Sequence, residues 1–288
     1  FFAFGGPGAG IASSDWIADA TSIVLRQQQP QLTLCYLPHL DYDFQRLDHQ
    51  DPERVAEVDA AAGRVIDAAD AIGATVVVVS EYGLTKVQRP VHLNRVLRAG
   101  GFLRTRRGPF GEVLLVGECD AVAVADHQVA HVYVRNPAMM DDVAACLRSV
   151  PGVAAVVTPA ELELDHPRSG ELIALADQDA WFTYYYWNDD LDAPDFARTV
   201  DIHRKPGYDP CELFMTSRPR AAARLLQKKL GMRYKMDVIP LDSTLVRGSH
   251  GLLASDPGSG PLVIGPGEPP GAMTGFADYV HSLLSPSP

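Results

Sequence analysis

The sequence lacks the marks of several common protein classes. Its four cysteines are far apart and form no CxxC pair, which excludes a zinc knuckle and a dithiol redox motif. No apolar run approaches the roughly 20 residues of a membrane-spanning helix. Basic residues are few, 25 against 36 acidic ones, so the net charge is −11. Binding to a nucleic acid polymer or to an anionic membrane is therefore not expected, since both need clustered Lys and Arg.

Sequence motifs of nucleotide-binding loops and of serine hydrolases are also missing. The glycine-rich run from Gly5 to Gly10 follows no predicted strand, so neither a Walker A loop nor a Rossmann fingerprint is present. Ser249 adjoins His250, but no Gly-x-Ser-x-Gly elbow occurs and neighbours in one loop seldom form a triad. The first residues, from Phe1 onward, carry no Met and no basic segment, so they do not resemble a signal peptide.

The pattern of apolar residues predicts an α/β protein. A helix is expected from Asp15 to about Gln29, with Ser13 and Ser14 before it. Its apolar face comprises Trp16, Ile17, Ala20, Ile23 and Val24. Buried strands at 32–37 and 75–79 flank a helix over 51–72, which together resemble a βαβ crossover. Further strands are expected within 112–134 and at 153–157, with helices near 91–97, 138–147 and 218–230.

These elements predict a mostly parallel sheet sandwiched by helices, interrupted by an inserted α+β cap subdomain. The predicted organisation is a core at 1–158, a cap or lid at 159–215, and a return to the core at 216–288. The cap is distinguished by a dense aromatic block, Tyr184 to Trp187, and an acidic irregular stretch after it. Cys35 and Cys146 lie in apolar stretches and are expected to be reduced core residues, which favours a cytoplasmic location.

Three oxygen or imidazole side chains follow strands or glycines where ligands commonly bind. Asp41 comes shortly after the strand at 32–37, and Glu81 directly after the valine run. His250 stands between glycines, in a loop where it has no packing role. Each alone is ambiguous, because Asp after a strand is more often a cap or turn residue. Together they suit a divalent metal such as zinc, manganese or iron.

The motifs Leu37-Pro38-His39-Leu40-Asp41, Ser80-Glu81-Tyr82-Gly83 and Gly248-Ser249-His250-Gly251 resemble those of a known family. They are similar to the type I phosphodiesterase/nucleotide pyrophosphatases of the alkaline phosphatase superfamily, which include phosphonoacetate hydrolases. The resemblance covers most of 30–135 and 236–265. It implies an alkaline-phosphatase-like core, one or two divalent ions, and hydrolysis of a phosphodiester, pyrophosphate or phosphonate bond in a small molecule.

The chain departs from the family pattern at three ligand positions. Gln45 stands where the family has His, Glu81 replaces Asp, and Tyr82 replaces the neighbouring His. The resemblance implies a metal set of Asp41, Glu81 and His250, with Gln45 and Tyr82 in or beside it, and weaker binding or a harder metal. The family's nucleophile is expected upstream of Phe1, so no catalytic nucleophile is assigned within this chain.

Three further groups of residues have both a functional and a structural interpretation. Arg204 and Lys205, beside His203, are predicted to bind substrate phosphate from a lid, although an ion-paired loop accounts for them equally well. The motif Asp126-His127-Gln128 and the nearby His131 resemble a ligand cluster, but structural histidines are the commoner case. Stacking of a nucleobase on the aromatic block is the less favoured interpretation of that block, because such residues usually pack in a core.

Two other functions remain open. A catalytically degraded member of the superfamily could act as a binding or regulatory module, given the changes at Gln45, Glu81 and Tyr82. A phosphoglycerate-mutase-like metalloenzyme would isomerise sugar phosphates instead of hydrolysing them.

Overall fold

The structure is a computed structural model, and it describes residues 5–47 and 51–284. Contacts divide the chain into two compact units. The first is drawn from both ends of the sequence, up to Leu84 and from Leu253 onward, and the second is Thr85–Leu252. The predicted boundaries at 158 and 215 both fall inside the second unit. No helix among the described residues is both long enough and apolar enough to cross a membrane.

The first unit is mainly helical. Its elements are α1 (Ile11–Gln28), α2 (His39–Arg46), α3 (Pro52–Asp70), β1 (Val78–Ser80), β12 (Leu262–Ile264) and α7 (Phe276–Leu284). The long helix α3 begins as predicted, because the Asp51 side chain accepts a hydrogen bond from the backbone N–H of Glu53 and Pro52 occupies the first turn. Helices α1 and α3 pack together around Leu25, Ala68 and Ala69.

The second unit contains the other strands and helices. These are β2 (Thr85–Lys86), β3 (Arg89–Val91), α4 (Leu93–Ala99), β4 (Thr105–Gly108), β5 (Gly111–Leu114), β6 (Ala121–Asp126), β7 (Val129–Val134), α5 (Met140–Arg148), β8 (Val153–Val157), β9 (Leu172–Ala176), β10 (Ala180–Phe182), α6 (Arg218–Lys229) and β11 (Gly248–Ser249). The largest sheet has the order β6-β7-β9-β8 and is antiparallel throughout. Strand β9, which follows residue 158, pairs with both β7 and β8, so the segment predicted as an insertion completes this sheet.

The core of the second unit is built on its sheet and its aromatic block. Trp181, Phe182 and the four residues Tyr184–Trp187 are each at most 1% exposed. Their rings pack on one another, with Tyr185 stacked on Trp187 at a centroid distance of 4.5 Å. Buried rings are not available to a nucleobase, so the packing interpretation of this block agrees with the structure.

The predicted mostly parallel sheet is not confirmed among the described residues. The ladders are short and mostly antiparallel, and the parallel pair that the structure shows is β3 with β10. Residues 32–38 form no strand, and Leu34 is 87% exposed. The valine run contributes only β1, whose described partner is the antiparallel strand β12. An apolar run becomes a buried parallel strand only where strands flank it, and here the crossover does not form.

Helix α1 also differs from its prediction. It starts at Ile11, four residues early, and Ser13 Oγ donates to the carbonyl of Gly10 instead of capping a later start. The predicted apolar face is largely exposed, with Trp16 at 63%. The helix buries its small residues against α3, since small side chains let two helices approach closely. Cys35 is a free thiol as expected, but it is exposed and not part of the core.

Candidate active site

Asp41 lies in the first turn of α2, where a carboxylate is favoured by the helix dipole. Gln45 follows one turn later, and its Nε2 donates a 2.8 Å hydrogen bond to Oδ2 of Asp41. Gln45 is fully buried and Asp41 is partly buried. The residue that replaces the family's histidine therefore holds the carboxylate in place as a hydrogen-bond donor.

Tyr82 reaches the same carboxylate from the turn after β1, and the exposed Glu81 precedes it. Tyr82 forms a hydrogen bond with Asp41, and the charge of Glu81 acts on Asp41. Ser80 Oγ donates to the carbonyl of Tyr82 at 2.8 Å and tightens this turn. Gly83 ends it with a close approach, since a Cβ there would lie 2.0 Å from the carbonyl oxygen of Ser259. Of the five residues predicted as metal ligands, the structure thus joins Asp41, Gln45 and Tyr82 by hydrogen bonds, and Glu81 acts on Asp41 through its charge.

The electrostatics of this cluster are set by burial and by like charge. Burial raises the pKa of Asp41 to about 6, Glu81 adds to the increase, and the hydrogen bonds from Gln45 and Tyr82 oppose it. Burial together with the Asp41 charge raises the pKa of Tyr82 well above its ordinary value. The same two causes raise the pKa of Tyr42. The phenols therefore stay protonated, and Asp41 titrates close to neutral pH.

A divalent cation would fit the Asp41 cluster by charge. Two carboxylates influence each other there, and a cation would relieve the repulsion that raises the pKa of Asp41. The donors around them are an amide and phenols, which are oxygen-rich groups suited to a hard cation more than to zinc. This set of donors suits a harder metal, which the substitutions at the family's ligand positions also imply.

A second donor group on α2 was missed by the sequence analysis. His39, Asp43 and Glu57 each place one donor atom within 4.8 Å of the others. Among the described residues, this is the one group of three His, Cys, Asp or Glu side chains whose donor atoms lie this close together. Neither Asp41 nor Glu81 belongs to it. The sequence did contain one indication, since His39 and Asp43 are one helical turn apart. Glu57 comes from the next helix, which no local spacing reveals.

His250 belongs to the second unit and packs against His127. Their ring centroids are 3.8 Å apart, and Ser249 Oγ lies 3.4 Å from Nδ1 of His127. Burial lowers the pKa of His250 to about 4. Burial and the neighbouring His250 lower the pKa of His127 as well. Both imidazoles are thus neutral at physiological pH, which is the form that ligates metals. The role of His250 as a ligand stays a prediction.

The three residues predicted to bind substrate phosphate have different environments. Lys205 has a side chain 1% exposed, and its Nζ lies 2.7 Å from Asp209 and 2.6 Å from Glu212. Arg204 is half exposed, pairs with Asp195 at 3.2 Å and lies over the ring of Phe196. His203 is exposed. The buried ion triad favours the interpretation of an anchored loop for Lys205, and phosphate binding by these residues stays a prediction.

The Asp126 and His131 positions resemble structural residues more than a metal cluster. Nε2 of His127 is 3.9 Å from Asp126, and Nδ1 of His131 accepts from the backbone N–H of Gly170 at 3.2 Å. His131 lies within β7, where it pairs with residues of β6 and β9.

A separate cavity of about 460 Å³ lies in the second unit, and sequence patterns did not predict it. It is lined by His92, Arg95, Tyr185, Arg198 and several residues of 216–243. His92 Nδ1 is 2.7 Å from Thr183 Oγ1, and its ring stacks on Tyr185. Burial, with a smaller contribution from Arg95, lowers the pKa of His92 to about 4. The residues come from distant segments, which explains why no motif marked them.

Residues 4–209 match the family model of the type I phosphodiesterase / nucleotide pyrophosphatases, which is more than half of the chain. The chain belongs to this family. Its members are hydrolases of the alkaline phosphatase superfamily, as the three motifs around Asp41, Glu81 and His250 indicated. A comparison with curated proteins found no match.

Solved structures resemble parts of the chain at low identity. One is phosphonoacetate hydrolase from Sinorhizobium meliloti in complex with phosphonoacetate, with 17% identity, a TM-score of 0.48, and coverage of 65% of this chain and 46% of that one. Another is murine ectonucleotide pyrophosphatase / phosphodiesterase 5, with 17% identity, a TM-score of 0.42, and coverage of 60% and 45%. The chain spans less than half the length of each of these proteins.

Proposed function

We propose that this chain contributes the metal-binding region of a hydrolase that cleaves a phosphodiester, pyrophosphate or phosphonate bond in a small molecule. The observation that carries the proposal is the family match over residues 4–209. The Asp41 cluster supports it, because two carboxylates share one end of the first unit and a carboxyl with a pKa of about 6 is typical of functional sites.

In this proposal Asp41 and Glu81 are the ligands of one divalent cation, manganese or iron in preference to zinc. Gln45 and Tyr82 fix the orientation of Asp41 through their hydrogen bonds. His250 is proposed as a further ligand on the motif alone. A bound metal supplies Lewis-acid polarisation of a phosphoryl or phosphonyl oxygen. No residue of this chain is proposed as the nucleophile. The proposed cytoplasmic location rests only on the free cysteine thiols.

The test is hydrolysis of bis(p-nitrophenyl) phosphate, a p-nitrophenyl nucleotide ester and phosphonoacetate. The protein is used with any sequence that adjoins this chain in the native polypeptide retained. We expect activity on at least one substrate, its loss in EDTA, recovery with manganese, and a fall of at least about a hundredfold in Asp41→Asn. Gln45→Leu, which removes only a donor to Asp41, should lose less.

One observation favours the alternative of a binding module. Gln45 and Tyr82 already serve Asp41 as hydrogen-bond donors, so the carboxylate has polar partners without a metal. Under this alternative, phosphate-ester binding by calorimetry would survive both EDTA and Asp41→Ala, and no substrate would be hydrolysed. That combination would refute the hydrolase proposal.

A further inference from the structure

Three helices of the first unit meet at a buried group of side chains that the proposed active site does not use. His39 and Asp43 lie one turn apart on α2, and Glu57 lies on α3. One donor atom from each falls within 4.8 Å of the others. His39 is 0% exposed and Asp43 is 6% exposed, whereas Glu57 is partly exposed, so the group is buried on two sides and open to solvent at Glu57.

The imidazole of His39 has one nitrogen engaged and one unpaired. Nδ1 is 2.8 Å from Ser14 Oγ, a fully buried hydroxyl on α1. Nε2 is buried and has no hydrogen-bond partner among residues 5–47 and 51–284. A buried polar atom without a partner is destabilising, and a bound water or ion is one arrangement that satisfies such an atom. A histidine held through one nitrogen, with the other one available, is the usual arrangement of a metal ligand.

Two neighbouring arginines pair with the carboxylates of Asp43 and Glu57. Arg46 contacts Asp43 through Oδ1 at 2.6 Å, and a carboxylate carries a second oxygen. Arg54 Nη1 donates to both oxygens of Glu57, at 3.0 Å and 2.8 Å, but its side chain is partly exposed, so it can move into solvent when a cation binds. Without a cation, these arginines balance the two carboxylates.

We propose that His39, Asp43 and Glu57 form a zinc site that ties α2 to α3, distinct from the Asp41 cluster. One nitrogen and two oxygen donors suit zinc or a similar transition metal. Zinc–ligand distances of about 2.0–2.1 Å place tetrahedral donors about 3.4 Å apart. The observed spread of up to 4.8 Å therefore requires only side-chain adjustment on binding.

The two sites use different faces of one helix. Residues two apart on an α-helix are separated by about 200° of rotation, so the pair His39 and Asp43 projects away from the pair Asp41 and Gln45. The hydrogen bond between Gln45 and Asp41 holds the second pair together. A variant in one pair therefore leaves the other pair's donors in place.

The test is the number of zinc equivalents retained after dialysis at 10 μM free zinc, measured by inductively coupled plasma mass spectrometry on the full chain. We expect His39→Gln and Glu57→Gln each to lose one equivalent and to weaken zinc binding at least about tenfold. Asp41→Asn is the matched control on the same helix and should retain that equivalent. Zinc should also raise the melting temperature of the wild type and of Asp41→Asn, but not of Glu57→Gln.

Folding of each metal-free variant is checked by circular dichroism. If His39→Gln does not fold, Glu57→Gln still tests the proposal, because Glu57 is partly exposed. Unchanged zinc equivalents in Glu57→Gln would overturn the proposal. So would a loss that occurs in Asp41→Asn instead. Hydrolysis is not a readout, so failure of the proposed enzymatic function leaves this test intact.

Discussion

Asp41→Asn should make the metal-free protein more stable at neutral and alkaline pH. The wild-type carboxyl is partly buried next to the Glu81 charge, and burial is the main cause that raises its pKa to about 6. The amide that replaces this carboxyl in the variant carries no charge at any pH and can still accept a hydrogen bond from Gln45. The substitution therefore removes the energetic penalty of ionising a buried group.

The magnitude follows from the pKa difference between the folded and unfolded chain. The folded pKa of Asp41 is raised, so the folded state binds more protons than the unfolded state between about pH 4 and pH 6. The contribution to stability is fully present below pH 4 and is lost as pH rises through 6. About two pKa units at 1.36 kcal/mol each give about 3 kcal/mol. The variant should thus gain about 3 kcal/mol over the wild type between pH 4 and pH 8.

The assay is urea unfolding in EDTA at half-unit pH steps, with the carboxyl titration of Asp41 followed by ¹³C NMR. Using the change in relative stability between pH 4 and pH 8 cancels any pH-independent cost of the substitution. Glu81→Gln is the matched control, and it should keep most of the pH dependence because burial outweighs the Glu81 charge. A stability difference that is flat with pH, or a carboxyl that titrates below pH 4.5, would refute the reasoning.

Three further predictions concern other parts of the chain. Lys205→Met should lower the free energy of unfolding by about 3–5 kcal/mol, since it leaves two buried carboxylates without their cation; a loss under 1 kcal/mol in urea titration would contradict the buried triad. Gly83→Ala should cost about 1–3 kcal/mol because its Cβ meets backbone, whereas Gly63→Ala in α3, where nothing lies within 4 Å, should stabilise by about 0.5–1 kcal/mol. Equal changes in the free energy of unfolding for Gly83→Ala and Gly63→Ala would contradict the close approach of Gly83 to the backbone of Ser259. His92, with its pKa lowered to about 4, contributes stability that is present above pH 6.5 and lost as pH falls towards 4. Replacing His92 with Gln should remove about 2 kcal/mol of that acid dependence in urea titrations at pH 7 and pH 4.5, and an unchanged pH profile would count against it.

Helices were predicted more accurately than strands because their determinants are local. The Asp51-Pro52 cap predicted the start of α3, and the observed helix, Pro52–Asp70, agrees within two residues at its end. The antiparallel pair β6 and β7 also lies within the range predicted for strands. In these segments the cap or the short turn that sets the structure lies next to the element itself.

The parallel sheet was not predictable in this way, because strand pairing depends on distant partners. The valine run before Ser80 has the composition of a buried central strand, but Val79 is 41% exposed and its described partner is antiparallel. The predicted apolar face of α1 has the same explanation, since amphipathic spacing shows which residues share a face but not which face is covered.

The candidate site was predicted in part. Positions after two predicted strands indicated Asp41 and Glu81, and the family resemblance indicated Gln45 and Tyr82. In the structure Gln45 and Tyr82 form hydrogen bonds with Asp41, and the charge of Glu81 acts on it. The pairing of His39 with Glu57 across two helices lay beyond any local pattern.

The most direct test of the account is an anomalous-difference map from crystals soaked in manganese. The account predicts a peak within about 2.0–2.3 Å of an oxygen of Asp41, with a Glu81 oxygen in the same coordination sphere. A map without density at Asp41, while its carboxylate keeps the hydrogen bonds from Gln45 and Tyr82, would contradict the metal-dependent hydrolase and favour the binding module.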